Sequence, residues 1–335
     1  MKVSKISLII VMLFAVSFFL YTGWKTDWLD LIDQFARLKY LWIIAAVIAI
    51  IVHWGFEAKT LQTITSSNNG KYGFFDAFKV TMVGQFFNVV TPFASGGQPA
   101  QLYTMTKQKI DPGSAASILM LKFIVFQSVL TLYSLFLILW KMPFFQHNME
   151  DVYYLTFVGF IINLSVIGCL FVFTRHKKIK EILLIGTLKL LNKIKIIRDY
   201  QKWEEKANYN LELFHKDIDL LKKKRALFYK IIFYTFMQLS LFFTIPFFIY
   251  RGFGLSNAGI FNFIAAAAFV LMITSFVPIP GASGGAELSF YYFFNLFFLQ
   301  RHILLAILLW RFISYYFGMI VGWFVLLINK KWHIE

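Results

Sequence analysis

The segment Pro92-Phe-Ala-Ser95-Gly96-Gly97 returns 188 residues later as Pro280-Gly-Ala-Ser283-Gly284-Gly285, and both copies interrupt long apolar stretches. Inside a bilayer, the backbone N–H and C=O groups freed by such a break have no water to bond. A break survives there only where protein or a water-filled cavity surrounds it. Matched breaks in two halves of one membrane chain point to a transport site near the bilayer midplane.

The surrounding sequence fits a membrane setting. Of 335 residues, 59% are hydrophobic and only 15% charged, against roughly a quarter charged in soluble domains. The net charge of +16 is concentrated in one block, so positive-inside topology and anionic headgroups explain it better than nucleic acid does. No nucleic-acid reader motif accompanies it. Cys169 is the single cysteine, which excludes a disulfide framework and a thiolate metal site. The six histidines are scattered without metal-ligand spacing. No Walker loop, nucleophile elbow or paired catalytic carboxylates appear, so neither a metal nor another cofactor is expected.

A span needs about 20 apolar residues to cross a ~30 Å core. Residues 6–23, 41–57, 114–140, 152–174, 227–250 and 303–328 meet that length, and the two broken regions are 80–106 and 260–299. The first run follows Lys2 and Lys5 like a signal peptide, but it passes through its small-residue candidate site and reads as an uncleaved span. No β-barrel alternation is present. The expected fold is one all-α polytopic domain over residues 1–335.

Between Arg175 and Lys230 stand sixteen basic and seven acidic residues, which puts this block in the cytoplasm. Residues 175–226 then form a basic loop between two halves, with an amphipathic helix over 181–197 on the inner leaflet. This fixes Lys107 and both termini inside, and 141–151 and His302 outside. Six full spans satisfy that parity if each broken region is a re-entrant hairpin, the first dipping in from the cytoplasm and the second from outside. The two would form an inverted repeat. The alternative is eight kinked spans.

At each break the proline stops the incoming helix. Ser95 and Ser283 are placed to cap the helix that follows. Gly96, Gly97, Gly281, Gly284 and Gly285 permit φ > 0 and close backbone approach. A helix N-terminus at this depth suits a phosphate or carboxylate; the competing role is helix packing by small residues. Gln85, Asn88, Gln98 and Gln101 crowd the first break and are expected to face a wet cavity. Lys122, Gln127, Glu287 and Arg311 lie deep in apolar sequence, where charges pair or face a cavity. Glu287 has two candidate cations, Arg311 or the ammonium of a lipid. Lys122 either joins the site or snorkels to the surface.

The run from Gly84 to Gln101 through Pro92, the run from Pro278 to Glu287 through Pro280, and Arg311 followed by Gly318 resemble the lysylphosphatidylglycerol synthase transmembrane-region family. This resemblance covers nearly the whole chain. It implies a flippase-like bacterial plasma-membrane protein that moves phospholipid, including lysyl-phosphatidylglycerol, between leaflets. In full-length relatives the transferase activity resides in a separate cytosolic domain, and here the last span ends seven residues before Glu335. The expectation is therefore lipid movement, with membrane phospholipid as partner and either a separate lipid-modifying synthase or a second copy as protein partner. Two alternatives stand beside it: phosphatidylglycerol lysyltransferase, and transport of a polyprenyl-linked envelope lipid.

Overall fold

A computed structural model of the protein describes residues 28–148, 158–165, 168, 201, 203–205, 208–209, 212 and 225–328, apart from Phe276 and Pro278. The first span, Cys169, the amphipathic 181–197 segment and the Lys330-Lys331 end lie outside the described residues, as does most of the 152–174 span. Among the described residues all regular structure is helical, so the all-α expectation holds.

The helices are α1 (Trp28–Ala36), α2 (Tyr40–Asn69), α3 (Phe74–Val90), α4 (Gly97–Lys107), α5 (Pro112–Asn148), α6 (Arg225–Gly252), α7 (Ile260–Thr274), α8 (Gly285–Phe294), α9 (Ile303–Arg311) and α10 (Phe317–Ile328). Short 3-10 turns at Pro92–Ala94 and Pro280–Ala282 form the breaks, and a π turn over Phe312–Tyr316 joins α9 to α10. Four stretches of described helix are long and apolar enough to cross a membrane: Tyr40–Ser67, Pro112–Lys141, Arg225–Gly252 and Ile303–Ile328. Local chemistry sets their ends. Gly70, at φ 80, closes α2. Pro112 takes the first position of α5, and Asp111 Oδ1 accepts from the Gly113 and Ser114 N–H groups at 2.9 and 3.2 Å.

The two broken regions are hairpins whose legs pack on each other. In the first, a Cβ at Gly97 would meet Asn88 and one at Gly84 would meet Gln101. Gln108 Nε2 reaches the Asp76 carbonyl at 3.2 Å, completing an antiparallel register from tip to mouth. In the second, Gly285 meets Val277 at the tip, Phe269 faces Phe293 at 5.7 Å further back, and Phe263 faces Phe297 at 4.7 Å near the mouth. No leg is long enough to cross. The longest, α3, has 17 residues, about 25 Å at 1.5 Å per residue.

Each half thus runs span, hairpin, span. The first spans of the halves, α2 and α6, lie antiparallel along their whole length. The Lys39 N–H donates to Gly252 O at 2.8 Å, His53 Nδ1 lies 2.8 Å from Gln238 O, and Phe56 packs on Tyr234 at 6.0 Å. Equivalent helices pointing opposite ways make the repeat inverted. One hairpin mouth opens beside the Asn69 end of this pair and the other beside the Gly252 end. The two breaks pack against each other, the first with its face over residues 92–95 exposed.

Helix association in lipid rests on close packing rather than on the hydrophobic effect. The second hairpin supplies it with Ala265–Ala268, all buried, and fully buried Phe263, Phe269, Phe290, Phe293 and Phe294. The partly described span docks through Gln127, which donates to Asn163. Between α3 and α10, Gly322 lies against the Met82 carbonyl so closely that any Cβ would overlap it.

Candidate functional site

Three corrections to the sequence reading follow from the breaks. First, the paired glycines do not all take the left-handed conformation. In the first break Phe93 (φ 54) and Ala94 (φ 51) carry it; in the second Gly281 (φ 62), Ala282 (φ 52) and Gly284 (φ 84) do. Gly96, Gly97 and Gly285 serve contact instead. A Cβ at Gly96 would lie 2.6 Å from Thr91 Cγ2, and one at Gly285 2.7 Å from Val277 Cγ2. Second, the serines cap no helix. Each donates back to the proline that opens its break, Ser95 Oγ to Pro92 O at 2.8 Å and Ser283 Oγ to Pro280 O at 3.0 Å. They close the turn in the manner of a Ser-turn. Third, Thr91 shapes the first break as well: its hydroxyl donates to Phe87 O at 2.6 Å and accepts from the Gly96 N–H at 2.8 Å.

The two helix ends differ in charge. At the start of α8, Glu287 Oε2 accepts from the Gly284 N–H at 2.7 Å, so a carboxylate of the chain itself occupies that N-terminus. Its other oxygen, Oε1, accepts from Arg311 Nε at 2.7 Å. Of the two cations considered for Glu287, the chain supplies Arg311. The guanidinium is 2% exposed and also lies 4.4 Å from the Tyr315 ring centroid, a cation–π contact. Nη1 is buried without a hydrogen-bond partner. The π turn begins directly after Arg311, and such turns are frequent at functional sites.

Among the described residues, no acidic side chain caps the start of α4. Pro92, Ser95 and Gln98 are exposed at the rim while Gly96 and Gly97 are buried behind them. Asn88 and Gln101 fill the crevice between the legs against Gly97 and Gly84. Both pack between the legs of the hairpin, Gln101 buried and Asn88 half-buried.

Lys122 neither snorkels nor stands free. Its Nζ lies 2.6 Å from Glu57 Oε1, and Glu57 Oε2 accepts from Gln85 Nε2 at 2.8 Å. Glu57 had read only as the end of an apolar run, yet α2 continues twelve residues beyond it. His53, one turn earlier on the same helix, is also buried. Two buried ion pairs therefore flank the breaks, Glu57–Lys122 beside the first hairpin and Glu287–Arg311 at the second.

A family model and two known proteins match most of the chain. The family model described as "Lysylphosphatidylglycerol synthase TM region" matches residues 6–322. A "UPF0104 membrane protein" of Archaeoglobus fulgidus is 23% identical over 317 residues, covering 91% of this chain and 90% of that protein. An "Uncharacterized protein MG306 homolog" of Mycoplasma pneumoniae is 22% identical, covering 97% of this chain and 88% of that protein. With nearly its whole length matched, the chain belongs to the lysylphosphatidylglycerol synthase transmembrane-region family.

Proposed function

We propose that this protein moves phospholipid between the leaflets of the plasma membrane. The observation that carries the reading is the meeting of two inverted, non-crossing hairpins at their breaks, with one face of the first break left exposed. That arrangement brings polar backbone to mid-depth from both sides, as a headgroup passing through lipid requires. An anionic headgroup is received at the start of α4, whose first N–H groups have no partner within their own helix, no side-chain cap and no acidic residue in the first turn. Lys122, paired with Glu57 beside the first hairpin, and Arg311, whose Nη1 has no hydrogen-bond partner, are the cations available to it. Ser95, Pro92 and Gln98 form the rim. Pro280, Gly281, Ser283, Gly284 and Gly285 form the opposing wall, its helix end already neutralised by Glu287. The basic 175–226 segment and both termini face the cytoplasm.

The test is reconstitution into liposomes holding lipids with a quenchable label, with phosphatidylglycerol, lysyl-phosphatidylglycerol and phosphatidylcholine compared. Label in the inner leaflet becomes accessible to external quencher faster than in protein-free vesicles, most strongly for the anionic lipid. Rates equal to protein-free vesicles for every lipid would refute it.

A further inference from the structure

Glu57 and Lys122 form an ion pair with features the Glu287–Arg311 pair lacks. Both members can exchange a proton, whereas a guanidinium stays charged. An imidazole, His53, sits one turn away on the same helix, with Nδ1 2.8 Å from the Gln238 carbonyl. That carbonyl accepts only, so Nδ1 carries the hydrogen and Nε2 is the basic nitrogen. The pair is also joined to the first hairpin, because Gln85 donates to Glu57 one turn before Asn88, which packs on Gly97.

We propose that Glu57, with Lys122 and His53, is a proton-binding site that couples the movement of one anionic phospholipid to that of one proton. This rests on the lipid-moving function proposed above. The argument is charge conservation in a low-dielectric interior. With His53 neutral, the cluster sums to zero. Among the described residues the side chains bonded to Glu57 are Lys122 of α5 and the neutral Gln85 of α3, and α6 offers His53 the Gln238 carbonyl. A lipid phosphate brought against Lys122 would leave the region at −1, an uncompensated charge of the kind that membranes strongly disfavour. A proton removes that penalty. A new O–H bond forms on the Glu57 carboxylate, its ion pair with Lys122 breaks, and the ammonium keeps its three hydrogens and pairs with a phosphate oxygen. Lipid and proton leave together on the other side, and the Glu57–Lys122 pair re-forms. No net charge crosses.

Liposomes containing the full chain and labelled phosphatidylglycerol, with the membrane potential clamped at zero, test this. One proton per lipid predicts that a gradient of one pH unit shifts the leaflet ratio of the label about tenfold toward the alkaline side. Glu57→Gln should lose that shift. In detergent, adding short-chain phosphatidylglycerol to the wild-type protein in weak buffer should take up about one proton per lipid bound, by the same balance. Accelerated lipid movement with a leaflet ratio indifferent to pH overturns the coupling and leaves the lipid-moving function standing. Proton uptake without lipid movement supports the coupling site and removes the transport reading. No uptake, or an undiminished pH-driven shift in Glu57→Gln, overturns the proposal. The wild-type measurements decide the matter even if the variant fails to fold.

Discussion

Replacing Glu287 by Gln removes the carboxylate that holds Arg311 while leaving the side-chain shape. Two short contacts change at once: Oε1 to Arg311 Nε at 2.7 Å and Oε2 to the Gly284 N–H at 2.7 Å. Arg311 is 2% exposed and already has Nη1 unpaired, so the stranded guanidinium finds no water. Breaking a buried pair in this way costs about 3–5 kcal/mol. At ~2–4 °C per kcal/mol for a chain of this size, the melting temperature should fall by on the order of 10 °C. Thermal unfolding in detergent, followed by tryptophan fluorescence, reads it directly, since Trp310 packs on Phe290 at 4.8 Å in the same region. Arg311→Gln should be comparably destabilised, and Glu287→Gln with Arg311→Gln together should recover most of the loss, because neither charge is then stranded. A single variant within about 2 °C of wild type, or a double variant no better than the worse single, would refute the claim that this pair holds the second break.

Three further outcomes are expected. Gly97→Ala should destabilise because its Cβ meets the Asn88 amide, and Asn88→Ala in the same chain should restore much of the loss; failure of that rescue would remove packing as the role of Gly97. Burial first, and Arg301 second, hold the His302 imidazole below its ordinary value of 6.5, so the neutral ring is the folded form and it joins α1 through Gln34 at 3.0 Å. This contribution is fully present above pH 6.5 and is lost as pH falls through the lower folded value, so α1 amides should show lower protection factors, relative to the intrinsic exchange rate at each pH, at pH 5 than at pH 7.5, and equal protection factors at both would contradict it. On a Cys169→Ser background, a cysteine at His147 should label from outside and one at Lys107 from inside; the opposite pattern would reverse the orientation.

Four of the expected spans were legible because apolar length is a local property: three of the apolar helices begin and end within a few residues of the expected runs, while the fourth, expected over 41–57, runs ten residues past that end. The breaks were legible because proline cannot continue a helix, and the pairing of the two copies was written in their spacing. The conformation inside them was not. Phe93 and Ala94 take positive φ although neither residue favours it, so only the packed surroundings impose it. The serine role was hidden in plain spacing: a hydroxyl three residues after a proline reaches that proline's carbonyl, which fits both copies. Glu57–Lys122 joins positions 65 residues apart. Glu57 looked like a span boundary, since α2 runs on through residues too polar to prolong an apolar run. Pairings across elements are set by the register of α2 against α5 and α6, which no local pattern carries.

The central claim is that lipid passes where the two breaks meet. A Cβ at Gly281 would stand 4.0 Å from Val89 Cγ1, the place a cysteine's sulfur would take at residue 89, so a shift of about 1 Å brings two cysteines here within disulfide reach. The direct measurement is lipid movement in liposomes containing the Val89→Cys, Gly281→Cys, Cys169→Ser protein, before and after oxidation. Cross-linking that stops lipid movement, with recovery on reduction, is the predicted result. A cross-link that forms while lipid moves at an undiminished rate would contradict the account.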